Sequence, residues 1–340
     1  MKYSIGSVKP VAVKPFDFAA ATEALTDTYV RLGDAYEQVI AAEGRIVEAE
    51  MAMDTCKSAL ASIEKFGVTA TTMAVFNGEN ELDAALSLEA LDLESIESLG
   101  ATVKKVRKEN YISGLEGMVS DGWKKFVAML QKMWEAIKRW FKELFDRNAK
   151  YARIVKEAMD KKVFVKFTTT GKDKKFKLLS KDQMNAALAA IDELMKAANS
   201  VNFQSLAPTA PSADVLGKAG LKVDENGKVV KADNFGTVFE KKEDTLDKLI
   251  GSNADIEMLG KKFVEVTAGG GIKNAAKNVE KMYSTLIKGA QDAKDDAGKQ
   301  AEVTRKKQEL PKVQSYVTAY NTLVGLVGNC LVTIANYASK

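Results

Sequence analysis

Glu89, Asp92, Glu94 and Glu97 crowd one short segment, where paired carboxylates could trade a proton or hold a divalent cation. The chain contains no histidine, which removes the commonest general base, the commonest transition-metal ligand and every Ser-His or Cys-His nucleophile pair. Without such company, or neighbouring strand ends, the four acids read as the solvated face of a helix. Gly269-Gly270-Gly271-Ile272-Lys273 invites comparison with loops that cradle phosphate at a helix N-terminus. That pattern needs Gly directly before Lys and Ser or Thr after it, whereas Lys273 stands between Ile272 and Asn274, so a glycine hinge between helices is expected. Cys56 and Cys330 are the only thiols and sit in apolar helical contexts; both read as small core residues, in keeping with a reducing compartment. These groups assign no catalytic residue, no cofactor and no metal.

The cations offer a different chemistry. Lys124, Lys125, Lys132, Lys138, Arg139 and Lys142 alternate with an apolar stripe of Trp123, Phe126, Val127, Leu130, Met133, Trp134, Ile137, Trp140, Phe141, Leu144 and Phe145. Lysines on the outside of such a helix could meet phosphates or an acidic partner, in contacts blind to base sequence and weakened by salt. No zinc knuckle, helix-turn-helix or other base-reading module accompanies them. The stripe itself has two readings. Burial against neighbouring helices is the expected one, since each large side chain contributes roughly 1.5 to 3 kcal/mol on leaving water. An amphipathic helix lying in a membrane interface is the other.

The elements that carry these residues are mainly helical. Leu25, Tyr29, Leu32, Tyr36, Val39, Ile40, Ile46, Val47, Leu60 and Ile63 recur mostly at three- and four-residue steps, which predicts one long helix over 18–66, with Gly33 and Gly44 as costly interruptions. Residues 81–99 read as an acidic, leucine-rich helix. The aromatic helix is expected to start at Ser120 or slightly before, to break near Asp146 and to resume over 149–160. Alternation in 163–167 and 175–179 predicts a local hairpin. A second hairpin is predicted around Asn226-Gly227, with a two-residue type I′ turn. Further helices are expected over 181–198, 245–259, 272–310 and 313–337, with Pro311 separating the last two. The fold class is thus mainly α, a bundle of long helices with one or two small β-hairpin insertions. Four segments are expected: 1–116, acidic and helical; 117–200, aromatic and basic helices with a hairpin; 201–240, a Pro-containing loop with the Asn-Gly hairpin; and 241–340, helical. The N-terminus lacks the apolar run of a secretory signal, and the apolar stretch 322–335 falls short of the roughly 18 to 20 residues that span a bilayer, so a soluble protein is expected.

Charge divides the chain more sharply than hydropathy does. Up to Glu116 there are 11 Lys+Arg against 19 Asp+Glu, a net of −8, while the remainder carries 39 against 27, a net of +12. Compositional drift accounts for such a split as readily as separate roles do.

Ser87-Leu88-Glu89, Ser95-Ile96-Glu97 and Gly114-Leu115-Glu116 precede Trp123-Lys-Lys-Phe, the run from Trp134 to Asp146, and Tyr151-Ala-Arg. The segment from about Ser87 to Ala158, under a third of the chain, resembles the internal head or inner-body proteins of large tailed bacteriophages, especially the phiKZ-like giant phages. That resemblance implies a propeptide removed by a prohead protease after a small residue, any residue, then Glu. Carried over, it makes Glu89, Glu97 and Glu116 the candidate processing sites, with Glu116 the last. Ser113-Gly-Leu-Glu116 is also a good helix capping box. The resemblance implies a structural virion protein with no reaction of its own, whose partners are the prohead protease, other head or core proteins and non-specifically bound packaged DNA. Host cytoplasm during assembly and then the virion interior are the implied locations. No small-molecule substrate and no membrane are expected; a membrane-active helical protein and a nucleotide-binding enzyme are the rival classes.

Overall fold

The computed structural model describes residues 16–66, 101–165, 174–268, 270–294 and 296–339. Helix α1 runs over Phe18–Phe66 and α2 over Ala101–Asp160. Then follow β1 (Lys175–Leu178), α3 (Lys181–Asn199), β2 (Val201–Asn202), β3 (Ala207–Pro208), α4 (Ala213–Lys218), β4 (Leu221–Val223), β5 (Val229–Lys231), α5 (Phe235–Val238) and β6 (Lys242–Thr245). The chain closes with α6 (Leu246–Leu249), α7 (Asn253–Ala268), α8 (Gly270–Asp292), α9 (Ala297–Lys307) and α10 (Leu310–Ala338). The expected class, a bundle of long helices with minor antiparallel β, is what the chain forms.

Helix α1 is held by a strict heptad. Phe18, Leu25, Leu32, Val39, Ile46 and Met53 fall seven apart, and Thr28, Ala35, Cys56 and Ile63 occupy the second position of the same repeat, all of them buried. Large residues at one position and mostly small ones at the other let a partner helix approach closely. That partner is α2, whose buried residues Trp123, Phe126, Leu130, Met133, Ile137, Trp140, Leu144, Arg147, Tyr151 and Ile154 again fall at alternating steps of three and four. The two helices are antiparallel in constant register: Lys150 Nζ donates to the carbonyl of Ala24 at 2.9 Å, Arg31 pairs with Glu143 at 3.4 Å, Tyr36 meets Trp140 with ring centres 5.6 Å apart, and Gly122 lies against Met53.

The other buried face of α2 meets α7, α8 and α10, and α3 packs on α7, α8 and α10 behind it. Trp123 and Trp140 are 2% and 1% exposed, and Trp123 Nε1 donates to the carbonyl of Ala290 on α8 at 2.9 Å. The stretch Ala297–Ala338 is long and apolar enough to cross a membrane, yet 67% of its most apolar window is buried inside the bundle. The aromatic stripe and α10 are thus core elements, as the burial reading expects.

Several expectations need correction. Helix α2 passes Asp146 without a break, because Asp146 is exposed and disturbs no packing there. Ser113 to Glu116 lies inside the same helix and caps nothing. Val163–Val165 form a helical turn after Lys162, at φ 51°, and β1 pairs instead with β6, Lys175 opposite Thr245 and Leu178 opposite Lys242. The alternation of Phe176 and Leu178 is that of a strand, as expected, but its partner lies far away in sequence. The Asn-Gly hairpin exists, with Val223 opposite Val229. Its loop is longer than expected: only Gly227 has positive φ, at 77°, its N–H donates to the carbonyl of Asp224 at 3.0 Å, and Asp224 N donates to Lys228 O at 2.9 Å. This is a type I turn with a glycine bulge, fixed by Asp224 Oδ1, which accepts from the amides of Asn226 and Lys228. Residues 253–268, 270–292 and 297–307 form separate helices, and Pro311 sits in the first turn of α10, where its missing N–H loses nothing.

Residues from all four expected segments enter one hydrophobic core. The division at Glu116 is marked by charge alone, since α2 runs through it and α1 supplies one wall of that core. The expected helix over 81–99 lies outside the described residues.

Candidate basic groove between α2 and α8

Helix α2 presents its cations in two groups. Lys125, Lys132 and Arg139 are seven residues apart, exposed, and therefore lie in one line down the helix with about 10 Å between neighbours. None of the three makes an ion pair with a described residue. Lys124 is held by Asp121 at 2.6 Å and Lys138 by Glu135. Lys138 also lies over the ring of Trp134, 5.4 Å from its centre.

Lys138 and Lys142 face a groove of about 540 Å³ whose opposite wall is α8, which contributes Lys273, Ala276, Lys277 and Glu280. Trp134, Phe141 and Phe145 form the apolar floor, and Asp146 closes one end. The floor is rigid because its rings support one another: Trp134 stacks on the buried Tyr283 with centres 5.5 Å apart, and Phe141 on Phe145 at 6.0 Å. Tyr283 is fixed in turn by Gln314 of α10, whose Nε2 donates to its hydroxyl at 2.9 Å, and burial pushes the Tyr283 phenol well above its ordinary range. Four lysines against two carboxylates give the rim a positive balance, and Lys142, Lys273 and Lys277 make no ion pair with a described residue.

Reading single helices found only half of this site. Lys138 and Lys142 stand out in sequence, while Lys273 carries a signal only as part of the glycine run and Lys277 carries none. Gly270 and Gly271 open α8 soon after α7 ends at Ala268, and Gly269 lies outside the described residues. Gly271 is tied to α3, where Asn199 Nδ2 donates to its carbonyl at 3.0 Å. Lys273 lines the α2/α8 groove instead of facing a phosphate loop.

Of the candidate processing residues, Glu116 is exposed on α2 with Leu115 beside it fully buried, whereas Glu89 and Glu97 lie outside the described residues. Asp92 and Glu94 lie there too. Among the described residues no three Cys, Asp or Glu side chains come together to hold a metal ion. Cys56 and Cys330 are both buried, and burial pushes the Cys330 thiol up. Comparison of the chain with protein-family models, with curated proteins and with solved structures finds no match in any of the three.

Proposed function

We propose that this chain is a structural internal head protein of a large tailed bacteriophage, which holds packaged DNA by sequence-independent contacts and catalyses no reaction. The observation that carries the reading is the α2/α8 groove: Lys138, Lys142, Lys273 and Lys277, drawn from helices more than a hundred residues apart in sequence, converge on one rim beside the line of Lys125, Lys132 and Arg139. Phosphates attract such a surface whatever the bases are. Screening confines the attraction to roughly 8 to 10 Å at physiological salt, so direct contact is required. Burial of Trp123, Trp140 and α10 weighs against the membrane-active alternative.

Proteolytic maturation belongs to this proposal in altered form. Lys150, Glu143, Trp140 and Gly122, which meet α1, all lie beyond Glu116. A cut after Glu89, Glu97 or Glu116 therefore leaves α1 seated on the body, and processing nicks the acidic part without shedding it. Cutting after Glu116 further demands local unwinding of α2.

The test is binding of duplex DNA of random sequence, followed by fluorescence anisotropy over a range of salt. Replacing Lys142, Lys273 and Lys277 by Gln should weaken binding and flatten the dependence on log salt by about three units, close to 0.9 per lost phosphate contact. Binding that ignores these changes, or ignores salt, sinks the proposal.

A further inference from the structure

Helix α1 carries a second seam on the face turned away from α2. Val30, Gly33, Glu37, Ile40, Gly44, Val47 and Met51 alternate at steps of three and four, the spacing of a helix–helix contact. Val30, Ile40, Val47 and Met51 are between 45% and 65% exposed, and they make up four of the six exposed large hydrophobic residues among the described residues. A Cβ built on Gly33 or Gly44 meets nothing within 4 Å, so the seam has two open notches where a neighbour's side chains could enter.

Charge decides what the neighbour is. Over its length α1 holds 9 Asp+Glu and 4 Lys+Arg. Asp27, Asp34 and Glu48 follow one edge of the seam and Glu37 stands within it, whereas on the other edge Glu50 is taken by Lys307 of α9. Of the cations of α1, Arg31 lies between Asp27 and Glu143 of α2, which leaves Asp34, Glu37 and Glu48 as the acids of the seam. A second copy presenting the same face antiparallel would bring acid against acid along the edge of Asp34 and Glu48. The chain's own run over 81–99 holds Glu81, Asp83, Glu89, Asp92, Glu94 and Glu97 with no Lys or Arg, and meets the same repulsion.

We infer that the outer seam of α1 docks a basic amphipathic helix of another protein, with apolar residues seated on Val30, Ile40, Val47 and Met51 and with Lys or Arg along the edge that carries Asp34 and Glu48. In such heptad pairings the edge charges select the partner and the seam supplies the buried area. The inference uses nothing from the DNA-binding reading and stands or falls apart from it.

The test uses the full chain and two synthetic helical peptides of about four heptads, both with Leu at the seam positions, one with Lys and one with Glu at the edges. The Lys peptide should bind, and the Glu peptide should bind at least about tenfold more weakly. Ile40→Asp with Val47→Asp should abolish binding, and because both residues are exposed the thermal unfolding midpoint should stay in place. Asp34→Asn with Glu37→Gln and Glu48→Gln should remove most of the preference for Lys over Glu. A photo-crosslinker on Ile40→Cys, selective because Cys56 and Cys330 are buried, should capture the Lys peptide. Equal binding of the two peptides, no binding of either, or crosslinking chiefly to a second copy or to residues 67–100 of the same chain would overturn the inference.

Discussion

The guanidinium of Arg147 lies 5.4 Å from the ring centre of Tyr29, across the α1/α2 seam, and pairs with no carboxylate among the described residues. Arg147 occupies a core position of the α2 heptad and is 1% exposed. Tyr151 covers it at 5.7 Å, Asn148 Oδ1 accepts from Nη2 at 2.9 Å, and the carbonyl of Asn321 accepts at 3.3 Å. Burial lowers its pKa, and the ring hydroxyls of Tyr29, Tyr151 and Tyr320 oppose that shift. A cation held by ring faces and amides fits one alignment of α1, α2 and α10, whereas apolar side chains would accept several.

Arg147→Ala should therefore destabilise the chain by about 3 to 5 kcal/mol, because it opens a cavity and strands Asn148 and the Asn321 carbonyl. Arg147→Met fills the space without a buried charge and should cost under about 1.5 kcal/mol. Urea unfolding midpoints decide the point. Equal losses in the two variants would mean that the charge itself stabilises the fold.

Glycines on α1 and α10 should respond to alanine with opposite signs. A Cβ on Gly328 would stand 2.7 Å from Cε1 of Tyr151, and the buried ring has no room to withdraw. Gly328→Ala should cost about 1 to 3 kcal/mol from overpacking, after offsetting the gain of about 1 kcal/mol in helix propensity. Gly33→Ala meets open space and should show that gain alone, as a higher Tm.

Most of the helical frame is legible in the sequence, because it rests on local periodicity and on caps such as Ser180. That side chain accepts from Gln183 N while Gln183 Oε1 accepts from Ser180 N, which fixes the start of α3. The inner heptad of α1 is harder to read. Its second position holds mostly small residues, so the pattern marks one apolar line and hides the other. Pairing of β1 with β6 cannot be read locally at all, since Phe176 and Leu178 define a strand face but not the strand beside it. The groove is half legible for the same reason: a lysine on α2 says nothing of the lysines that α8 brings opposite.

Alkali should loosen the bundle before acid chemistry matters. Burial pushes Tyr316 up to about 12 and raises Tyr151, Tyr283 and Tyr320 from the ordinary value of 10.0, the last three further than Tyr316 or against full burial. Protons are thus bound more tightly in the folded state than in the unfolded one. Stability from these groups is complete below about pH 10 and falls as pH rises through the folded values. Unfolding midpoints should decline from about pH 10 to 12, with tyrosinate absorbance appearing together with unfolding. Titration of the tyrosines well before loss of helix would contradict their burial.

Proteolytic nicking should leave the chain in one piece. The inner seam of α1 sets Leu25, Leu32, Val39, Ile46, Met53 and Ile63 against α2, and each contributes about 1.5 to 3 kcal/mol when buried. Lys150 to Ala24 and Lys307 to Glu50 add polar ties to α2 and α9. A protease recognition sequence inserted after Glu97 therefore allows a clean test by size-exclusion chromatography after cutting. The two fragments should elute together in native buffer and separate only in denaturant. Because the acidic helix stays bound, the nicked body keeps the overall charge of +4 in place of the +14 that loss of residues 1–97 would leave. Its affinity for DNA should accordingly be unchanged by the cut, and a rise in affinity with release of the N-terminal fragment would show that charge, not packing, governs the fate of α1.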